Sequence, residues 1–144
     1  MTLKGVITVI RVPFLILALI LALLGAAVAW YEARLFGSPF YFGYALLATF
    51  GLLVAHSAVN IFNDYFDERS GLDYKTRRTP FSGGSGAALT GLLRVDQVLW
   101  LGLACLVILI PIAVFFVVKS GVMLLPLLVM AVLLIVFYTP VILK

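Results

Sequence analysis

Four stretches of the chain carry no Asp, Glu, Lys or Arg: Val12 to Tyr31, Leu35 to Asn63, Gln97 to Val118, and Ser120 to Leu143. Each is about 20 residues or longer, which is what an α-helix needs to cross a hydrocarbon core roughly 30 Å thick. The pattern predicts spans near 12–33, 40–66, 97–118 and 121–142, with one long polar loop over 68–95. Trp30 and Tyr31 close the first span with amphipathic rings suited to a membrane interface, and Phe36-Gly37-Ser38-Pro39 turns the chain back. Ahead of the first span, Met1 to Arg11 reads as a short, weakly amphipathic segment lying at the interface. Leu89 to Val95 reads as a short amphipathic helix over the membrane surface. Pro111 is expected to kink the third span, and the fourth ends at Tyr138-Thr139-Pro140.

Composition places the chain firmly in one class. With 65% apolar and 11% charged residues, it falls outside the range of soluble globular domains, and the predicted fold is all-α, a polytopic membrane protein of about four transmembrane helices. A net charge of +4 does not indicate nucleic acid, because the bases follow the membrane and share no soluble face. With the N-terminus in the cytoplasm, Lys4, Arg11, Arg69, Lys75, Arg77, Arg78, Arg94 and Lys144 lie inside and only Arg34 and Lys119 outside. That asymmetry sets the expected orientation in a cell (inner) membrane. Cys105 stands alone, so no disulfide forms within the chain. Lys4, Arg11 and Ala27-Val28-Ala29 imitate a cleaved signal peptide, but the apolar run is too long for one and Arg11-Val12-Pro13 opens it like a helix start.

The chemistry gathers where the second apolar run ends. On a helix Asn60, Asn63, Asp64 and Asp67 fall at i, i+3, i+4 and i+7, so two amides and two carboxylates share one face, with His56 a turn behind. Carboxylates this close in a low dielectric need a cation or a set of donors to compensate them. Oxygen-only ligands suit Mg2+, which takes one or two carboxylates and completes its octahedron with water and phosphate; no Cys or second His offers zinc. The plainer reading is a solvated helix end or a polar packing face. After it, Lys75, Arg77 and Arg78 add cations beside the flexible Pro80-Phe81-Ser82-Gly83-Gly84-Ser85-Gly86 turn, whose bare backbone can approach an anion.

Asn63-Asp64-Tyr65-Phe66-Asp67 with Gly71-Leu72-Asp73 and Arg78-Thr79-Pro80 resembles the first aspartate-rich motif and adjoining loop of the UbiA superfamily of intramembrane prenyltransferases. Arg11-Val12-Pro13-Phe14 and Tyr138-Thr139-Pro140 are similar to that family's first and fourth helices. The resemblance implies a bundle of about nine spans in which Mg2+ is held between two aspartate-rich motifs on cytoplasmic loops, with this chain as the N-terminal part. It implies Asn63, Asp64, Asp67 and Asp73 as metal ligands and Asp64, Asp67 and Asp73 as catalytic groups. Asn60, Asn63, Lys75, Arg77 and Arg78 would then bind substrate. The substrates implied are a polyprenyl diphosphate and an aromatic acceptor. The Asn63 to Asp73 spacing is similar to the branch that prenylates 1,4-dihydroxy-2-naphthoate. The second motif and remaining helices are not found in these residues, so the chain reads as the N-terminal half of such an enzyme: a fragment, a truncated gene product, or half of a split enzyme whose partner is a separate C-terminal half. Two other readings stand beside this one. The first is a non-catalytic membrane module whose polar face binds cations or a partner helix; the second is a CDP-alcohol phosphotransferase, whose longer Asp-Gly and Ala-Arg spaced pattern is not present.

Overall fold

The computed structural model describes residues 1–71 and 84–142. Helix α1 (Leu3–Ile10) is followed by a 3-10 turn (Val12–Phe14) and then by α2 (Leu15–Phe36), α3 (Phe42–Ser70) and α4 (Val95–Ser120). A second 3-10 turn (Val122–Leu124) leads into α5 (Leu125–Phe137), which ends in a π turn (Tyr138–Ile142). Four helical stretches are long and apolar enough to cross a membrane: Leu3–Phe36, Phe42–Ser70, Val95–Ser120 and Val122–Val141. The protein is an all-α polytopic membrane protein, with no strand among the described residues.

Local chemistry explains where the helices stop. Thr2 caps α1, its Oγ1 accepting from the Gly5 N–H at 3.2 Å, which satisfies one of the free donors of a first turn. Arg11 then takes φ 55°, the only described non-glycine residue at positive φ. Pro13 follows inside the 3-10 turn, so α1 and α2 are separated by a break. Helix α3 ends at Gly71, whose φ of 72° suits a residue without a Cβ and whose N–H reaches the carbonyls of Asp67 and Glu68.

Helix α3 is the central element, packed on α4 along its length and also on α1, α2 and α5. Gly102 of α4 permits the close approach: a Cβ there would stand 3.0–3.2 Å from the Phe62 ring. One buried cluster joins Val9 of α1, Ile61 and Tyr65 of α3, Ala87 and Leu93 of the connecting segment, and Val98 of α4. A second joins Ala58, Phe62 and Ile135. By contrast, α2 buries only Ala18 and Ala33, leaving its leucines and isoleucines on the outside, where lipid takes the place of a protein core.

One expectation changes. Residues 89–95 do not form an amphipathic helix: turns run from Ala87 to Gly91 and α4 begins at Val95. Gly86 and Gly91 both sit near φ 71°, which interrupts any helix, and Leu93 turns inward to 2% exposure. The N-terminal segment also packs on the rest of the protein. Gly5 and Val9 are buried, because Gly5 lies directly beneath Leu92 and Leu93. The third span runs as one helix through Pro111.

Candidate functional site

The polar stripe falls on the half of α3 that is most buried. Asn60, Asp64 and Asp67 are 8%, 2% and 9% exposed, although an isolated buried carboxylate is strongly disfavoured. Each finds a different answer.

Asn60 donates from Nδ2 to the Ile10 carbonyl at 2.8 Å. That carbonyl is the last of α1, immediately before the break, where helical partners run out. Asn63 donates from Nδ2 to Thr139 Oγ1 at 3.2 Å, so the end of the fourth span reaches the stripe and the amide oxygen of Asn63 remains as an acceptor. Asp64 is fully engaged. Its Oδ1 accepts from Arg11 Nη2 at 3.3 Å and from the Ser85 N–H at 2.6 Å, and its Oδ2 accepts from the Ser85 hydroxyl. The same hydroxyl accepts from the Ala87 N–H at 3.1 Å.

Asp67, one turn beyond Asn63, accepts a hydrogen bond from the Asn63 side chain and has Asp64 and Arg11 as charged neighbours. The Ser70 hydroxyl bonds its carbonyl at 3.0 Å, and Arg69 Nη1 donates to the Tyr65 hydroxyl at 3.1 Å. Asp73, Lys75, Arg77 and Arg78 lie outside the described residues, so of the expected site the structure brings together Asn60, Asn63, Asp64 and Asp67. His56 is half-buried a turn behind them.

Among the described residues no three His, Cys, Asp or Glu side chains converge as a metal site. The donors present suit a cation that needs few protein ligands. Asp67 and the Asn63 oxygen, hard oxygen donors one helical turn apart, fit Mg2+ in its water- and phosphate-rich mode. Asp64 fits less well, since both of its oxygens already receive protein donors.

Three groups at this site were not singled out for it from the sequence: Arg11, Ser85 and Thr139. Arg11 reads as a headgroup anchor, and Ser85 is one residue of a flexible glycine-rich turn. The signals available are Arg11-Val12-Pro13-Phe14 and Tyr138-Thr139-Pro140, which mark helix ends without giving their partners. A cavity of about 550 Å³ between α2 and α3, lined by Gly25, Ala29, Glu32, Tyr44 and Thr49 among others, is not part of this site. Thr49 stands fifteen residues before Asp64 on the same helix, which is roughly 20 Å along the axis.

Comparison of the chain with protein-family models, with curated proteins and with solved structures finds no match.

Proposed function

We propose that the chain supplies the first metal–diphosphate half of a Mg2+-dependent intramembrane prenyl-transfer site, acting on a polyprenyl diphosphate and an aromatic acceptor, with 1,4-dihydroxy-2-naphthoate favoured. The observation that carries this reading is the Asn63–Asp67 pair. Two oxygen donors sit one turn apart at the polar end of a membrane-spanning helix, next to the Arg11 cation and beside apolar helix surface that an isoprenoid tail would prefer to water. The resemblance of Asn63 to Asp73 to the aspartate-rich motif of the UbiA superfamily supplies the reaction class.

In this reading Asn63 and Asp67 hold Mg2+, which when bound neutralises the charge that develops on the departing diphosphate. Arg11 adds positive potential to the same face. The allylic C–O bond breaks, the carbocation is attacked by a ring carbon of the acceptor, and the ring loses a proton. A second aspartate-rich motif, from further spans or a separate chain, completes the charge neutralisation and the dry enclosure that the carbocation needs.

The test is prenyl transfer from a radiolabelled donor to naphthoate and hydroxybenzoate acceptors, in membranes that also supply the remaining spans. Asp67→Asn is expected to lower product formation by about a hundredfold or more, the scale of losing a principal electrostatic group, while the protein still inserts. Near-normal turnover removes Asp67 from the site. Robust product from the 144-residue chain alone overturns the half-site assignment.

One observation favours the non-catalytic alternative: the side chains of Asn60, Asn63 and Asp64 all find protein partners, as a packing face would. Absence of Mg2+-dependent diphosphate binding in the complete assembly decides for it.

A further inference from the structure

One contact of the polar stripe draws together segments that lie far apart in the chain. Asp64 gathers donors from two places far away in the chain: Arg11, 53 residues earlier, and Ser85, 21 residues later. A carboxylate offers about four lone-pair positions, and three are filled here by protein groups. The guanidinium that reaches it stands on Arg11, whose left-handed backbone is unfavourable for a side-chain-bearing residue and persists only where surrounding contacts fix it. On the other side, Ser85 is bonded through both N–H and hydroxyl, and its hydroxyl oxygen also holds the Ala87 N–H. Ala87 is then wholly buried, and Leu93 nearly so. A second tie closes the triangle, since Thr2 Oγ1 donates to the Leu92 carbonyl at 3.3 Å.

We propose that Asp64 is a positioning residue, not a metal ligand: it closes a clasp, Arg11–Asp64–Ser85, that fastens the α1 break and residues 84–93 to α3 next to the Asn63–Asp67 pair. The clasp itself stands on contacts within the chain. Only the division of labour between Asp64 and Asp67 rests on the metal-binding function proposed above. Neighbouring carboxylates on one helical face thereby do different jobs. Asp64 spends its charge on Arg11 and the segment's backbone, whereas Asp67 keeps its charge for a cation.

The test uses the full chain in lipid nanodiscs with Cys105→Ala and Ala87→Cys, and two readouts. The first is the rate at which a water-soluble maleimide labels the buried thiol. The second is Mn2+ affinity by electron paramagnetic resonance, Mn2+ standing in for Mg2+. Asp64→Ala and Arg11→Gln are each expected to raise the labelling rate at least about tenfold, because either change leaves a buried charged partner uncompensated and favours local opening. Arg11→Lys, which keeps the charge, recovers part of the protection. Asp67→Ala leaves labelling unchanged.

Mn2+ affinity should divide the other way, falling at least about tenfold in Asp67→Ala, on the scale of losing one charged ligand, and staying within about threefold in Asp64→Ala. Unchanged labelling in both Asp64→Ala and Arg11→Gln overturns the clasp. Equal loss of Mn2+ affinity in Asp64→Ala and Asp67→Ala overturns the division of labour. A wild-type chain that takes up no Mn2+ counts against the prenyl-transfer reading, and the clasp is then decided by labelling alone.

Discussion

Asn60 separates a structural from a substrate-binding role more cleanly than any other residue of the stripe. From sequence it belongs with the substrate ligands, yet its amide donates to the Ile10 carbonyl at 2.8 Å and it is 8% exposed. Asn60→Ala removes that donor at the end of α1. A buried acceptor left without its partner costs about 1–3 kcal/mol, while interhelical polar contacts in membranes average about 0.6 kcal/mol and reach about 1.7 kcal/mol. The Ile10 carbonyl sits where a helix has run out of internal partners, so the cost falls where the top of the membrane range meets the lower part of the unpaired-acceptor range, about 1–2 kcal/mol. That corresponds to roughly a five- to thirtyfold shift in the unfolding equilibrium. Titration with sodium dodecyl sulfate in mixed micelles, followed by helical circular dichroism, measures it. The same preparation gives Mn2+ affinity, which should stay within about threefold if the residue only holds α1, a change below about 0.7 kcal/mol. A stability loss under about 0.3 kcal/mol, with Mn2+ affinity reduced tenfold, refutes the reasoning and returns Asn60 to the ligand set.

Two further predictions concern packing and orientation. Gly102→Ala places a methyl group 3.0–3.2 Å from the Phe62 ring and should cost about 1–3 kcal/mol by overpacking; adding Phe62→Leu should recover part of it, and strictly additive losses in a double-mutant cycle would show that the two do not press on each other. In sealed cells with Cys105→Ala, Lys119→Cys should react with an impermeant maleimide from outside and Thr2→Cys only after permeabilisation. The reverse pattern inverts the proposed topology.

Helices and membrane class were legible because they depend on local composition. Long uncharged runs leave the backbone no alternative to internal hydrogen bonding in lipid, and all four expected spans occur as helices. The polar stripe was legible for the same reason: spacings of three and four residues fix a common face of α3 whatever surrounds it. What surrounds it was not. The partners of Asn60, Asn63 and Asp64 come from Ile10, Thr139, Arg11 and Ser85, and no local pattern encodes a meeting of residues that far apart in the chain. Residues 89–95 illustrate the opposite error. Their spacing suits an amphipathic helix, but Gly86 and Gly91 in left-handed conformations and the burial of Leu93 decide the path instead.

The break at Arg11 also bears on the order in which the molecule is assembled. The residues up to the break are made well before their partners: Thr2 bonds the carbonyl of Leu92, and Arg11 pairs with Asp64. At a synthesis rate of about 5–20 residues per second, Arg11 waits roughly 3–10 seconds for Asp64 to be made, and Thr2 waits roughly 5–18 seconds for Leu92. During that interval α2 can already enter the bilayer, while the short helix before the break has nothing to pack on. Because Arg11 interrupts the helix, α1 need not be drawn into the hydrocarbon as an extension of α2. It can stay at the membrane surface until α3 and the segment after it arrive, and dock on them then.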